Sequence, residues 1–426
     1  METNPKQTGR RAGRIFLLSQ LIILPTIIGV LTLNAATVNN RPLMPRLHEH
    51  PRTVRPQYDY DFVVSDQQLS EVLHRLRPKF SPDKPPKTNY VDHALRFWGT
   101  KIKFDDQSLD GAQLRKLLVD HKTFAATWGE NEPPLLTVTD DGIAVRTQQG
   151  RSTVSHVDHL LGSLAEVGTP LSYPITADKV NGQLIHMVRD GVMNFSLNQR
   201  EYEWTTLALA FYAANNSPWY SPEGQQITYD YLAKRIMRET QPDGVCYGQH
   251  RLYTLTIMLR IDDQMRGKKP NDVSADGLDG GLISTQTRAD VMSFLGEMTK
   301  RAYQNQASDG SWDGNWPDTT IPVRDPDTDE TSRKVLATGH MLEWWAMAPR
   351  ELHPPRETIV RAAQWLSRVI IEMEPERIER NYTFLTHAGR ALALWRGGFA
   401  DELYRPKVTA GENDQLLPFE GREQID

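Results

Sequence analysis

The sequence predicts an all-α fold, an (α/α)6 toroid of helical hairpins with a small β-hairpin insertion, preceded by one transmembrane helix. Three observations predict this fold. Amphipathic segments, with apolar residues three and four positions apart, alternate along the chain from residue 66. The second segment of each pair carries fewer charges than the first, as expected for an inner layer of helices. A separate apolar run lies near the N-terminus.

Composition narrows the class of protein. The 426 residues could form two or three ordinary domains, or a single repeat architecture. Hydrophobic residues make up 39% of the chain and charged residues 24%, which is typical of a globular protein. The net charge of -5 includes no basic excess, so we expect no nucleic-acid partner. The single cysteine, Cys246, excludes an intramolecular disulfide.

The N-terminal region predicts a membrane anchor. Residues 1–14 form a basic tail, and residues 15–33 contain no charge. As a helix, this second segment would span roughly 28 Å, about one hydrocarbon core. Positive charge on the N-terminal side predicts a cytoplasmic tail and an extracytoplasmic main domain on a single-pass membrane protein. A cleaved signal peptide is the alternative, although residues 33–36 (LNAA) match a cleavage site poorly.

The remaining chain divides into three parts. Residues 34–65 are polar and rich in proline, which predicts a stalk or linker. Residues 66–400 form the predicted toroid, and residues 401–426 form a polar C-terminal tail. Within the toroid, residues 135–147 are β-rich around Asp141-Gly142 and predict the β-hairpin insertion.

Six helix pairs make up the predicted toroid. Helical pairs that cannot bury both faces alone must stack on their neighbours. Six such pairs commonly close into a ring, and an open solenoid is the alternative. The pairs are 67–76 with 91–98, 109–118 with 154–167, 179–195 with 202–214, 228–238 with 247–260, 288–303 with 335–348, and 357–371 with 385–395.

A histidine recurs near the start of the second helix of five pairs, and a tryptophan takes its place in the sixth. If the inner helices run parallel, these side chains lie at similar depth near positive helix ends, which disfavour imidazolium. Neutral imidazole binds metals and accepts protons. The alternative is that each histidine only hydrogen-bonds a neighbouring turn. The residues are His93, His159, Trp204, His250, His340 and His387.

These positions suggest chemistry in a central cavity. Cys246 lies four residues before His250, so a helical turn would bring both onto one face as zinc ligands. An inert buried thiol is the alternative. Glu343 follows His340 by three residues, a spacing that suits either a general base or a structural hydrogen bond.

The candidate residues therefore fall into three groups. The candidate catalytic residues are His250, His340, Glu343 and His387, and the candidate metal ligands are Cys246 and His250, with zinc as the possible cofactor. The candidate cavity-lining residues are His93, His159, Trp204, Arg251 and Trp344, with Glu203, Tyr253 and Arg390 beside them.

One motif carries a family resemblance. Residues 306–312 (QASDGSW) close a predicted outer helix. They resemble the Q-x-x-x-G-x-W repeat of squalene and hopene cyclases and related prenyltransferase-like α/α toroids. In this motif Gly310 allows a tight turn, and Trp312 stacks on neighbouring structure. The resemblance implies a toroid and a cyclase- or transferase-like activity. The catalytic D-x-D-D motif of the cyclases is absent from the sequence, and the zinc ligands of protein prenyltransferases cannot be matched one by one.

Two functions remain open. The first is a membrane-anchored enzyme that binds a lipid, peptide, glycan or other small molecule in the toroid cavity. The second is a non-catalytic scaffold or protein-interaction protein of the cell envelope. An enzyme requires titratable groups that converge on a pocket, whereas a scaffold requires a broad exposed apolar surface.

Overall fold

The computed structural model describes residues 19–28, 42–80, 85–196, 199, 201–267 and 280–406. The described chain is mostly helical, with three short antiparallel hairpins, which confirms the all-α class. The helices are α1 (residues 19–28), α2 (Asp66–Arg75), α3 (Thr88–Trp98), α4 (Gly111–Val119), α5 (His121–Trp128), α6 (His159–Glu166), α7 (Leu184–Met193), α8 (Glu203–Tyr212), α9 (Tyr229–Arg238), α10 (Gln249–Arg266), α11 (Thr285–Gln304), α12 (Glu330–Met347), α13 (Arg356–Glu372), α14 (Pro375–Arg380), α15 (Tyr382–Leu394) and α16 (Ala400–Leu403).

The prediction of a transmembrane anchor is wrong. Helix α1 is the described part of residues 15–33. Within the described ranges, no helix has both the length and the apolar composition that crossing a bilayer requires. This finding corrects the predicted transmembrane helix, signal anchor and single-pass location. Residues 1–18 and 29–41, which include the basic tail, lie outside the described residues.

The helices form two sets that differ in burial. The inner set is α3, α6, α8, α10, α12 and α15, and the outer set is α2, α4, α7, α9, α11 and α13. Every residue of α8 is buried, so this helix has protein on all sides. Helix α9 buries only one stripe, Tyr229, Leu232, Ala233 and Ile236. Of these two helices, the one from a second, less charged segment is therefore the more buried.

Each inner helix contacts two other inner helices. Going along the chain, α3 contacts α6, α6 contacts α8, α8 contacts α10, α10 contacts α12, and α12 contacts α15. Helix α15 in turn contacts α3. The outer helices pack against this inner set, for example α9 on α8 and α10, and α13 on α12 and α15.

Local signals place the helix ends. Ser65 and Gln68 form a capping box at the start of α2. The Asp329 side chain accepts a hydrogen bond from the Ser332 amide, so α12 begins at Glu330, five residues before the predicted start at 335. This longer helix matters below, because it places His340 far from the helix N-terminus.

The β structure consists of three hairpins. Strands β1 (Leu136–Val138) and β2 (Ile143–Val145) lie within the predicted insertion at 135–147. Strands β3 (Pro174–Ala177) and β4 (Val180–Gln183) pair through a turn with Asp178 in the left-handed region, where a helix had been predicted from 179. Strands β5 (Trp219–Tyr220) and β6 (Gln226–Ile227) form the third hairpin.

Two further segments pack on the helices. Residues 42–65, predicted as a stalk, bury Val54, Val63 and Val64, and the Tyr58 hydroxyl donates to the Ala348 carbonyl at the end of α12 (2.7 Å). The 306–312 motif closes α11, where the Trp312 Nε1–H donates to the Ala302 carbonyl (2.8 Å). Residues 407–426, most of the predicted tail, lie outside the described residues.

The close packing of α12 on α15 makes a testable prediction. A Cβ at Gly339 would lie 2.9 Å from the backbone nitrogen of Ala388, closer than van der Waals contact allows. We expect Gly339→Ala to lower the free energy of unfolding by about 1–3 kcal/mol. The control is Gly296→Ala on α11, where a Cβ would meet only Leu352 at 3.9 Å. That change should stabilise the protein by about 0.5–1 kcal/mol. Denaturant titration measures both, and equal effects would contradict this packing.

Candidate metal centre

The six repeated positions meet side by side at the centre of the inner helices. Going round, the distances between ring centroids are 4.3 Å for His93–His159, 4.2 Å for His159–Trp204, 4.7 Å for Trp204–His250, 4.9 Å for His250–His340, 3.8 Å for His340–His387 and 5.3 Å for His387–His93. A sixth imidazole, His156, lies within 5.5 Å of both His159 and His250. We call the six histidines the histidine cluster.

Burial, rather than the helix dipole, keeps five of these imidazoles neutral, namely His93, His159, His250, His340 and His387. His159 and His250 lie in the first two residues of their helices, but His340 is the eleventh residue of α12. A dipole effect extends over only one turn, so it cannot act on His340. Desolvation is the largest cause that lowers the pKa of five cluster histidines. The pKa is well below the ordinary value for His93, His159, His250 and His340, and about 4 for His387.

Oxygen atoms hold one nitrogen of most of these rings. Nδ1 of His93 lies 2.8 Å from the Asn89 carbonyl, and Nδ1 of His340 lies 2.9 Å from the Leu336 carbonyl. A carbonyl can only accept, so these two rings carry their proton on Nδ1 and have a lone pair on Nε2. His159 and His387 are held by carboxylates instead.

Two carboxylates complete this set of anchors. Nδ1 of His159 lies 2.6 Å from Asp92 Oδ2, and Nδ1 of His387 lies 3.0 Å from Glu343 Oε2. Burial raises the pKa of Asp92 to about 7. Outside this set, His156 also has Nδ1 3.1 Å from a carboxylate, that of Glu201.

Not every second nitrogen of these rings is free, because Nε2 of His250 and Nε2 of His340 lie within hydrogen-bond distance of each other, at 3.0 Å. Elsewhere in the cluster, buried nitrogens have no hydrogen-bond partner within the described part of the chain: Nε2 of His93, His159 and His387, and Nδ1 of His250. An unsatisfied buried polar atom costs about 1–3 kcal/mol, so several in contact are a large cost without a ligand. Nδ1 bound to oxygen with Nε2 free is the usual arrangement of metal-binding histidine.

Three sets of side chains could hold an ion. In each set the ligand atoms lie within 4.8 Å of one another. Two sets share His340, so the cluster offers more ligands than one tetrahedral ion requires. The sets are Cys246, His250 and His340; Asp92, His93 and His159; and His340, Glu343 and His387.

Cys246 reaches the cluster by a different route from the predicted helical turn. Helix α10 begins at Gln249, and Cys246 precedes it with a φ of 50° in a 3-10 turn. Burial and nearby carboxylates raise the pKa of the thiol well above its ordinary value. A thiol of this kind becomes a ligand only when a metal displaces its proton.

Below the histidine cluster lies a buried ion cluster, formed by Arg96, Glu166, Tyr253, Glu343 and Arg390. Arg96 contacts both carboxylates, at 2.6 Å for Glu166 and 2.8 Å for Glu343. Arg390 also pairs with both, and its distance to Glu166 is 2.6 Å. Two positive and two negative charges therefore balance in a space that excludes water, which is the condition for burying them.

The ion cluster assigns Glu343 a different role from the predicted general base beside His340. Its partner is His387 on the neighbouring helix, and Arg96 and Arg390 hold its pKa well below the ordinary range. A carboxylate kept ionised by two guanidinium groups is a poor proton acceptor. It is suited to orienting His387 and to balancing positive charge at the centre.

Two predicted cavity residues, Arg251 and Trp344, make contacts outside the histidine cluster. Arg251 donates from Nη1 to the Thr240 carbonyl (3.2 Å) and holds the loop before α10. Trp344 packs against Trp345 at 5.3 Å and belongs to the core between helices. Glu203 is buried, and desolvation raises its pKa to about 7.

Sequence reasoning missed several participants. These are Asp92, Arg96, Glu166 and Glu201, which were not considered. A signal was present for Arg96, which follows His93 by three residues just as Glu343 follows His340 and Arg390 follows His387. Charged residues at this spacing in otherwise apolar helices indicate one layer of polar groups.

The ion cluster makes a stability prediction. Glu343→Gln would leave Arg96 and Arg390 with one carboxylate between them, so we expect a loss of about 3–5 kcal/mol in the free energy of unfolding. The control is Glu297→Gln, which removes an exposed ion pair with Arg301, where both side chains are 47% exposed. That change should cost no more than about 0.5 kcal/mol. Similar losses in chemical denaturation would contradict a balanced buried cluster.

The lowered histidine pKa values predict how the stability of the metal-free protein, kept in a chelator, depends on pH. Below pH 6.5 the unfolded chain takes up a proton on His250 that the folded chain does not. Stability therefore falls with falling pH by about 1.4 kcal/mol per pH unit from this residue. His250→Gln removes this dependence. Between pH 6 and pH 5, the free energy of unfolding of the variant, relative to that of the wild type, should therefore rise by about 1.4 kcal/mol per pH unit. Parallel stability–pH curves from chemical denaturation would show that His250 titrates normally.

Comparison with known proteins gives no match. No protein-family model, no curated protein and no solved structure matches this chain. The resemblance to the cyclase and prenyltransferase toroids therefore stays a prediction from one motif and the repeat pattern.

Proposed function

We propose that this chain is a metal-dependent enzyme that binds a transition-metal ion, with zinc as the first candidate, at the histidine cluster. One observation carries the proposal. Buried imidazoles from four different helices have Nδ1 held by oxygen, and their rings lie next to one another. The residues that would hold the ion are drawn from His93, His159, His250, His340 and His387.

The convergence of several rings matters more than any single free nitrogen. His74 on α2 is also buried, with Nδ1 2.7 Å from the Ser70 carbonyl and Nε2 without a partner in the described chain. One such ring is an ordinary core histidine. Four rings in one cluster, each with a nitrogen that has no hydrogen-bond partner among the described residues, instead match a polydentate site.

The donor set selects the class of metal. Neutral imidazoles suit zinc, copper, iron and nickel, whereas calcium and magnesium require oxygen ligands. Cys246 at the edge of the cluster would add a soft sulfur ligand, which favours zinc among these ions. Glu343 and Asp92 would orient ligands and offset the positive charge of the ion.

A metal at this place would have a proton-transfer pair beside it. The ring of His156 lies next to those of His159 and His250, and its Nδ1 contacts Glu201. His156 and Glu201 also line a pocket of about 320 Å³ at the protein surface. A metal ion that activates water, next to a base that a ligand can reach, is the arrangement of metal-assisted hydrolysis.

The (α/α)6 toroid is part of this proposal. It is supported by the contacts of the six inner helices, each of which touches two others. The six central side chains also contact one another in the same order as their helices, and His387 contacts His93. The 306–312 motif supports the same frame through the Trp312 contact with α11. In this frame the inner helices supply the ligands and the outer helices supply the supporting core.

The scaffold alternative is less well supported. Outside α1, the large apolar residues that the described chain exposes are scattered, namely Leu43, Val138, Val180 and Tyr303. A scaffold of the predicted kind would require a broad apolar surface. The titratable groups instead converge at one place, as an enzyme requires.

The test is metal binding by the full-length chain, purified without a histidine tag. We expect the metal-free protein to take up zinc and to gain thermal stability through mass action. His340→Gln and His93→Gln should each weaken zinc binding at least roughly tenfold, measured by competition with a chelator. His74→Gln is the matched control and should bind as the wild type does.

Two outcomes would contradict the proposal. One is a wild-type chain that binds neither zinc nor cobalt, nickel, copper or iron, and gains no thermal stability from any of them. The other is unchanged affinity in His340→Gln and His93→Gln with a folded structure. If the variants fail to fold, the effect of zinc on the melting temperature of the wild type decides the question alone.

A further inference from the structure

A second pocket adjoins the one that contains His156 and Glu201. This outer pocket has a volume of about 450 Å³, enough for a small organic molecule. The inner pocket, the one lined by His156 and Glu201, shares Gly150, Thr153 and Ser155 with it. The two therefore form one depression that leads from the surface to the edge of the histidine cluster.

The walls of the outer pocket are connected to the metal centre. The Asn89 side chain accepts a hydrogen bond from the Ser155 amide (3.1 Å), and both residues line the pocket. The carbonyl of the same Asn89 holds Nδ1 of His93. A ligand that contacts this wall would lie one residue away from a proposed metal ligand.

The outer pocket is positively charged, although the chain carries a net charge of -5. Lys87, Arg151 and Arg380 line it, and none of the described lining residues is acidic. None of these three side chains forms an ion pair with a residue that the structure describes. Arg151 donates to the Pro85 carbonyl at 3.3 Å, and Lys87 lies 5.1 Å above the ring of Tyr90. Cations with no counter-charge in a concave site favour an anionic ligand.

Aromatic side chains give the pocket an apolar part. Tyr90 and Phe384, which lie in the first turns of α3 and α15, line it beside the cations. An aromatic or otherwise apolar group would pack on these rings, while its charge remained with the arginines.

The inner pocket presents a group of the opposite kind. Glu201 is only 5% exposed, and its Oε1 has no hydrogen-bond partner within the described ranges. Its other oxygen is held by His156. A buried carboxylate oxygen at the end of a pocket favours a hydrogen-bond donor, such as a hydroxyl group or a water molecule.

We propose that the substrate is an organic anion with an apolar body, whose carboxylate or phosphate group binds Lys87, Arg151 and Arg380 and whose reacting end reaches His156 and Glu201. That the anion reacts rests on the proposed function, whereas its binding to the pocket does not. The three cations would hold the anionic group at the rim, and the aromatic rings would direct the rest of the molecule inward.

The experiment measures binding of benzyl phosphate to the full-length protein by calorimetry, with benzyl alcohol as the neutral comparison. We expect benzyl phosphate to bind and benzyl alcohol to bind at least tenfold more weakly. The double variant Arg151→Gln/Arg380→Gln should raise the Kd for benzyl phosphate roughly tenfold or more. The control is Lys300→Gln on α11, an exposed cation outside the pocket, which should leave the Kd unchanged.

Binding is measured both with zinc and with chelator, so that its failure is separate from failure of the metal site. If the double variant loses binding and Lys300→Gln does not, with zinc or with chelator, the outer pocket is supported as the binding site even if no metal binds. The inference is overturned if the wild type does not bind benzyl phosphate, if benzyl alcohol binds equally, or if the double variant binds as the wild type does. It is also overturned if Lys300→Gln weakens binding as much as the double variant does.

Discussion

The contact between buried imidazoles at the centre of the inner helices is the constraint on which the rest of the structure depends. Five histidines and a tryptophan from six helices lie with neighbouring ring centroids 3.8 to 5.3 Å apart. Imidazolium groups at such distances would repel strongly in a space without water, so the rings must be neutral. Neutral rings in turn have nitrogen lone pairs, and these require either a hydrogen donor or a metal.

The layer beneath them follows from the same constraint. Glu343 belongs to both layers, because it accepts from His387 and pairs with Arg96 and Arg390. The two guanidinium groups keep this carboxylate ionised, and Glu166 balances the remaining positive charge. The helices are thus held at their centre by directional polar contacts as well as by apolar packing. Because such contacts have fixed geometry, they would also fix the positions of the proposed metal ligands.

Much of this arrangement could be predicted from residue spacing, and the rest could not. The 3.6-residue period placed the inner helices, and the recurring histidine identified the side chains that meet. The i+3 charges of Arg96 and Arg390 carried a readable signal as well. However, sequence gives no distance across a central space, so neither the contact of the rings nor the pairing of Glu343 with His387 could be foreseen. His156 and Glu201 lie in loops, which have no period. The apolar run at residues 15–33 predicted a membrane helix that the described residues do not bear out.

X-ray absorption at the zinc K-edge tests the central claim most directly, because it counts the atoms bound to the metal. For zinc-loaded full-length protein, the account predicts at least three imidazole nitrogens at about 2.0–2.1 Å. Scattering from the outer atoms of the imidazole rings should accompany them. A first shell made only of oxygen atoms, with no imidazole scattering, would contradict the account and place the ion on the surface of the protein.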